Sequence, residues 1–208
     1  GFNPQNLANT VWAFATAGFE HASLHVDCAR ALSLALSKAP ADWSAVHLTQ
    51  VHQWQLWLSL ECGVCGSDEP LLLPRLRKQC RDAVVATVVT TVSGLQRSVA
   101  AVLATVHQGF EDEVLDETTG YSLDLALCSA RVAVEVDGPS HFLLCHDGSD
   151  EHLPNGKTLL KRRLLKAAGW RLVSVPFHDW DALLGREKQC RYLSRRLSEV
   201  GLVLTGGQ

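Results

Sequence analysis

The sequence predicts an α+β chain in which a run of helices precedes a small mixed sheet with a covering helix. Three observations carry this. Apolar residues recur at helical spacing from Asn3 to about Gln108, and the period changes to two beyond Gln108. Strand, helix and strand then follow in the order that builds a parallel pair covered by the helix.

The helical part shows its period in Leu7, Val11 and Phe14, in Leu32 and Leu36, and in Leu95, Val99, Val102 and Val106. Turn signals at Gly18, at Ala39-Pro40, over Gly63 to Pro74 and at Gly94 divide it into helix pairs of the length used in stacked, solenoid-like repeats. Asp42 to Leu60, with Trp54 and Trp57, has the spacing of a second such unit. After the Glu117-Thr118-Thr119-Gly120 turn, Tyr121 to Leu127 and Arg131 to Asp137 read as adjacent strands. Thr158 to Ala168 reads as a helix with Thr158 as N-cap and Gly169 as its stop. Trp170 to Phe177 is a strand closed by Pro176, and Gln189 to Val200 a last helix. The expected division is residues 1–91, helical repeats, and residues 92–208, a second domain with its core at 121–182.

Composition narrows the function classes. A net charge of −3 argues against nucleic-acid binding by the whole surface, because phosphate affinity comes from Lys and Arg. Charge is unevenly spread, however. Lys157, Lys161, Arg162, Arg163, Lys166 and Arg171 cluster in one stretch, whereas Glu111 to Glu117 is acidic at every charged position. Seven Cys, an odd number set in apolar stretches, suit buried thiols better than a disulfide framework. The absence of Met, even at position 1, predicts a piece of a longer chain, with any targeting segment upstream of Gly1. No charge-free run reaches membrane-spanning length.

Chemistry concentrates in three blocks: Val132-Ala133-Val134-Glu135-Val136-Asp137-Gly138-Pro139-Ser140-His141-Phe142, Gly156-Lys157-Thr158-Leu159-Leu160-Lys161-Arg162-Arg163-Leu164-Leu165, and Ala168-Gly169-Trp170-Arg171-Leu172-Val173-Ser174-Val175-Pro176. On a strand Glu135 and Asp137 share a face, and Asp124 sits on the neighbouring strand. Three converging carboxylates repel unless a divalent cation neutralises them, so the set Asp124, Glu135 and Asp137 is a conditional Mg site. The same residues also read as a turn, Asp137 to Ser140, with Asp137 accepting backbone hydrogen bonds. His141 is open to two readings, a general acid or metal partner and a hydrogen-bonded structural residue. On the helix, Leu160, Leu164, Ala167 and Ala168 form the expected core stripe, with Arg162, Arg163 and Lys166 opposite and Lys161 at the border. The outer cations lack acidic partners at helical spacing, which favours phosphate contact.

These three blocks, in this order, closely resemble the RAP domain over about the last third of the chain. The resemblance implies a restriction-endonuclease-like core, an organellar setting (mitochondrion, with plastid as the alternative) and an RNA partner, messenger or ribosomal. It implies roles in RNA processing, stabilisation or ribosome assembly. The opening Phe2 to Ala15 resembles the octotricopeptide and FAST-kinase-like repeats that accompany such domains. If the domain cleaves nucleic acid, the resemblance gives Asp124 the place of the first nuclease acid and Glu135 with Asp137 that of the second acidic element. His141 and Lys161 would complete the catalytic set. Such nucleases carry a lysine two residues after the second acid, where this chain has Asp137; Lys157 and Lys161 are the nearest substitutes.

Three function classes are therefore in contention: an RNA-binding module using Lys157, Lys161, Arg162, Arg163, Lys166 and Arg171; a Mg-dependent endonuclease; and a structural subunit of an organellar ribosome or another ribonucleoprotein. Trp12, Trp54, Trp57, Trp170 and Trp180 are expected in cores or interfaces. Cys62 and Cys65 have the spacing of half a zinc site, with Cys80 the only nearby third ligand, one short of the four that a closed site needs.

Overall fold

The computed structural model describes residues 3–63, 72–86, 92–143 and 151–202, and the chain divides into two compact units. The first comprises Gly1–Val88 with Thr119–Tyr121, and the second Val89–Thr118 with Ser122–Gln208. No helix among the described residues is long and apolar enough to cross a membrane.

The first unit is helical: α1 (Pro4–Ala17), α2 (Ala22–Lys38), α3 (Ala45–Leu60) and α4 (Pro74–Ala86). Its helix ends follow local chemistry. Asn3 caps α1 by accepting the Asn6 N–H at 2.8 Å, Pro4 fills the first turn where no amide is needed, and Gly18 closes the helix in the left-handed region at φ 65°. Ser44 and His47 form a reciprocal cap on α3. Trp54 and Trp57 are fully buried, packed beside the His25 ring, and the Trp12 indole N–H donates to Gln53 Oε1 at 2.8 Å. These tryptophans are therefore packing residues. Cys80 is buried, and burial pushes its thiol up to about 12. Cys62 is half-buried, while Cys65, its expected zinc partner, lies outside the described residues, as does Phe2, the first residue of the repeat-like opening.

The second unit runs α5 (Gly94–Val106), β1 (Glu111–Leu115), β2 (Ser122–Leu127), β3 (Val132–Asp137), α6 (Gly156–Ala167), β4 (Arg171–Pro176), α7 (Phe177–Asp181) and α8 (Arg186–Glu199). The sheet order is β1-β2-β3-β4, antiparallel except for the β3–β4 pair, which is parallel as expected from the strand–helix–strand order. The chain is thus α+β, helices first and a four-stranded mixed sheet after.

Strand β3 is central and buried on both faces. Val132, Val134 and Val136 join Leu125, Leu127, Val173 and Val175 in a core closed by Val99 and Leu103 of α5 and Leu193 and Leu197 of α8. The alternate residues of β3, Ala133, Glu135 and Asp137, point to the opposite face, which α6 covers. Four expectations change. β1 was not foreseen, because its acidic residues read as a charge run. Helix α6 begins at Gly156, so its cap is Asn155, whose Oδ1 accepts the Thr158 N–H at 3.0 Å, and not Thr158 itself. Gly94 opens α5 behind its cap Ser93, and the last helix starts three residues before Gln189.

Candidate functional site

The buried stripe of α6 is Thr158, Leu160, Leu164 and Leu165, not the one ending in Ala167 and Ala168; Ala167 is exposed. This rotation of the helix about its axis, relative to the expected one, turns Lys161 and Arg162 inward, over the polar face of β3. Lys161 Nζ forms an ion pair with Glu135 Oε2. Arg162 Nη2 donates to Asp137 Oδ2 at 2.6 Å and to Ser174 Oγ at 2.7 Å, and the Ser174 hydroxyl donates to the same Asp137 oxygen at 2.5 Å. The other Asp137 oxygen lies 3.1 Å from His141 Nδ1. Asp137 is 1% exposed and fully engaged, so it is a buried hub held by side chains, where the turn reading placed backbone amides.

Asp124 plays a different part. Regular β2–β3 pairing runs from Leu127↔Val132 to Leu125↔Val134. One step further, the Asp124 carboxylate accepts the Val136 N–H at 2.7 Å and extends the ladder with a side chain. Its strand neighbour Glu113 has φ +53° and turns its carboxylate to Gln96 (2.7 Å) and Ser122 (2.9 Å).

The electrostatics follow from burial and neighbours. Full burial pushes the Glu135 carboxyl up to about 7, against the pull of Lys161, with the Asp124 charge adding to the rise. Its Oε1 is buried with no hydrogen-bond partner among the described residues, which suits a carboxyl that holds a proton for part of the time. Burial raises Asp124 as well, opposed by Lys161 and the Val136 amide. Asp137 goes the other way: burial would raise it, but hydrogen bonds from His141 and Ser174 and the Arg162 charge hold it below the ordinary carboxylate range. Burial would lower the Lys161 ammonium, yet the Glu135 and Asp124 carboxylates raise it.

The donor set expected for Mg does not fit the ion as it stands. Among the described residues no three carboxylate, imidazole or thiol groups are placed to hold a metal. An ammonium and a guanidinium already sit where a cation would neutralise the acids. Lys161 therefore reaches Glu135 from the helix, as a displaced nuclease lysine would, but as the acid's ion partner.

The six expected RNA-facing cations separate into two groups. Lys161 and Arg162 are spent on β3. Arg171 donates to the carbonyls of Val200 (2.6 Å) and Ala130 (2.8 Å), closing the end of α8 onto the β2–β3 connection. Lys157 and Lys166 are exposed, and Arg163 is half-exposed.

Residues outside the expected catalytic and RNA-facing sets complete the frame. The Trp170 indole N–H donates to Asp116 Oδ1 at 2.9 Å, and the Arg131 guanidinium sits 4.6 Å over the Trp170 ring while donating to the Ala168 carbonyl at 2.7 Å. Ser174 was the readable one, a lone hydroxyl in an otherwise apolar strand. At the C-terminal end of β3 and β4, Phe142, His152, Phe177 and His178 form an aromatic cluster in which the two imidazoles stack at 4.1 Å.

Residues 134–196 match the RAP domain. Over 106 residues, 50% of this chain, the sequence is 38% identical to a chloroplastic RAP domain-containing protein of Oryza sativa subsp. japonica, of which it covers 15%. Over 67 residues, 32% of the chain, it is 39% identical to the mitochondrial FAST kinase domain-containing protein 3 of Rattus norvegicus and 34% identical to that of Homo sapiens, covering 10% and 9% of their lengths.

Proposed function

From the RAP domain carried by residues 134–196, we propose that this chain binds organellar RNA, messenger or ribosomal, and acts in its processing, stabilisation or ribosome assembly. The chloroplastic and mitochondrial names of its relatives support an organelle; the mitochondrion is our choice, with the plastid as the alternative. The observation that carries the reading is the division of labour on α6. Its inner cations neutralise the β3 acids, while Lys157 and Lys166 are exposed to solvent, where they can meet phosphates. Such contacts position RNA without reading its bases.

The test is a titration of single-stranded RNA at several salt concentrations in a chelating buffer. Binding that weakens with salt is expected, and Lys157→Ala with Lys166→Ala should flatten that dependence. An unchanged titration removes the reading. Co-purification with an organellar ribosomal subunit would assign the ribonucleoprotein form of the same role.

The second reading is a metal-dependent endonuclease: Lys161 stands beside Glu135 and Asp124, and the cation would have to displace the Lys161–Glu135 ion pair to reach the acids. It predicts RNA or DNA cleavage with Mg or Mn that is lost in both Glu135→Gln and Lys161→Met. No cleavage of any strand type by the purified chain overturns it.

A further inference from the structure

Within the second unit lies a cleft of about 510 Å³ whose walls include Leu95, Pro139, Phe177 and Trp180. Its walls are fixed before any ligand arrives. Phe177 is held by ring contacts with Phe142 (5.8 Å), His152 (5.3 Å) and His178 (5.2 Å). Trp180 is held by its indole N–H, which donates to Ser98 Oγ at 3.1 Å. That hydroxyl also lines the cleft, and because it accepts from Trp180 its own proton is left to donate. Two further polar residues line the same space, Asp181 and Gln189, neither with a side-chain hydrogen bond among the described residues. Aromatic walls fixed by their neighbours, with polar residues set among them, are the make-up of a site that takes a flat, polar-edged ligand.

We propose that this cleft is a subsite for one unpaired guanine of a bound RNA. The inference rests on the RNA-binding reading and adds base selectivity to it. An aromatic wall takes the face of any base, so stacking on Phe177 does not choose among the four. Asp181 does. Guanine alone presents two adjacent donors on its Watson–Crick edge, N1–H and N2–H, which match the two oxygens of a carboxylate. Adenine and cytosine offer a ring acceptor there, and uracil flanks its single N–H with carbonyls, so each sets lone pairs against Asp181. The Ser98 hydroxyl and the Gln189 amide are donors for guanine O6. A cation stands beside the cleft: the Arg97 Nη2 lies 4.0 Å from where a side chain would begin at Gly94, a lining residue.

The experiment uses the full 208-residue chain and two labelled uridine decamers, one with a single central guanosine and one with a central adenosine, plus free guanosine monophosphate. The guanosine decamer should bind on the order of tenfold tighter, the discrimination of one bidentate contact. Asp181→Asn should erase that preference, by weakening the guanosine decamer and by relieving the lone-pair repulsion that holds the adenosine decamer off; Asp181 is exposed, at the end of α7, so the variant keeps the fold. Equal binding of the two decamers by the native chain, or a preference that survives Asp181→Asn, overturns the guanine subsite and leaves RNA binding standing. If neither decamer binds but guanosine monophosphate does, with loss in Asp181→Asn, the RNA reading fails and the subsite stands. Binding of none of the three overturns both.

Discussion

Replacing Glu135 by Gln separates the ionisation of this buried acid from its shape. The folded chain holds the carboxyl near 7, and an unfolded chain near the ordinary 4.5. Because the folded value is raised, the folded state binds the proton more tightly, so the contribution of Glu135 to stability is greatest below pH 4.5 and is lost as pH rises to about 7. At about 1.4 kcal/mol per pH unit the interval is worth about 3 kcal/mol, an upper value that water entry and relaxation reduce. The amide mimics the protonated acid and does not titrate, so Glu135→Gln should match the native chain at pH 4.5 to 5. It should be more stable at pH 8, with the gap opening between. Urea denaturation at half-unit pH steps, followed by far-UV circular dichroism, measures this. A gap that does not change with pH, or a variant that is less stable at pH 8, refutes the burial argument and with it the view that Lys161 leaves Glu135 only partly compensated.

Further outcomes follow from other contacts. Asp137→Ala should cost about 3 kcal/mol in the same denaturation series, because the largely buried Arg162 guanidinium loses its carboxylate. Trp170→Phe removes one hydrogen bond and leaves Asp116 buried, a loss of about 1–3 kcal/mol read from the thermal midpoint. His52 in the first unit is held below its ordinary range by burial, so protons favour the unfolded form of that unit below about pH 6.5. Acidification from pH 7.5 to 5.5 should therefore loosen α3 while tightening the sheet around Glu135, which hydrogen exchange resolves by residue. Cys80, with its thiol at about 12, should react with alkylating reagents only on unfolding.

Much of the fold was legible because burial imposes period. Gly18, the β2 and β3 alternation, and the Gly169 stop all carry local signals that the structure keeps. β1 did not, since an edge strand with exposed Glu111 and Asp112 has little apolar pattern to read. The candidate site was legible in its residues but less so in their roles. Helical spacing shows which side chains share a face of α6, and it places Arg162 outside because Arg162 lies opposite the expected stripe of Leu160, Leu164, Ala167 and Ala168. Its partner Asp137 comes from a strand 25 residues earlier, beyond the reach of any helical rule. Arg171 likewise looks like a surface cation until the Val200 and Ala130 carbonyls meet it in space.

The central claim is that α6 binds RNA through its exposed Lys157 and Lys166 while its inner cations neutralise β3. The affinity of the native chain and of the Lys157→Ala, Lys166→Ala double variant for single-stranded RNA, measured against salt in chelating buffer, tests it most directly. Each phosphate contact on a single strand contributes about 0.7 to the slope of log affinity against log salt, so the double variant should lose about 1.4. Equal slopes for the two proteins, or binding that requires added Mg, would contradict it.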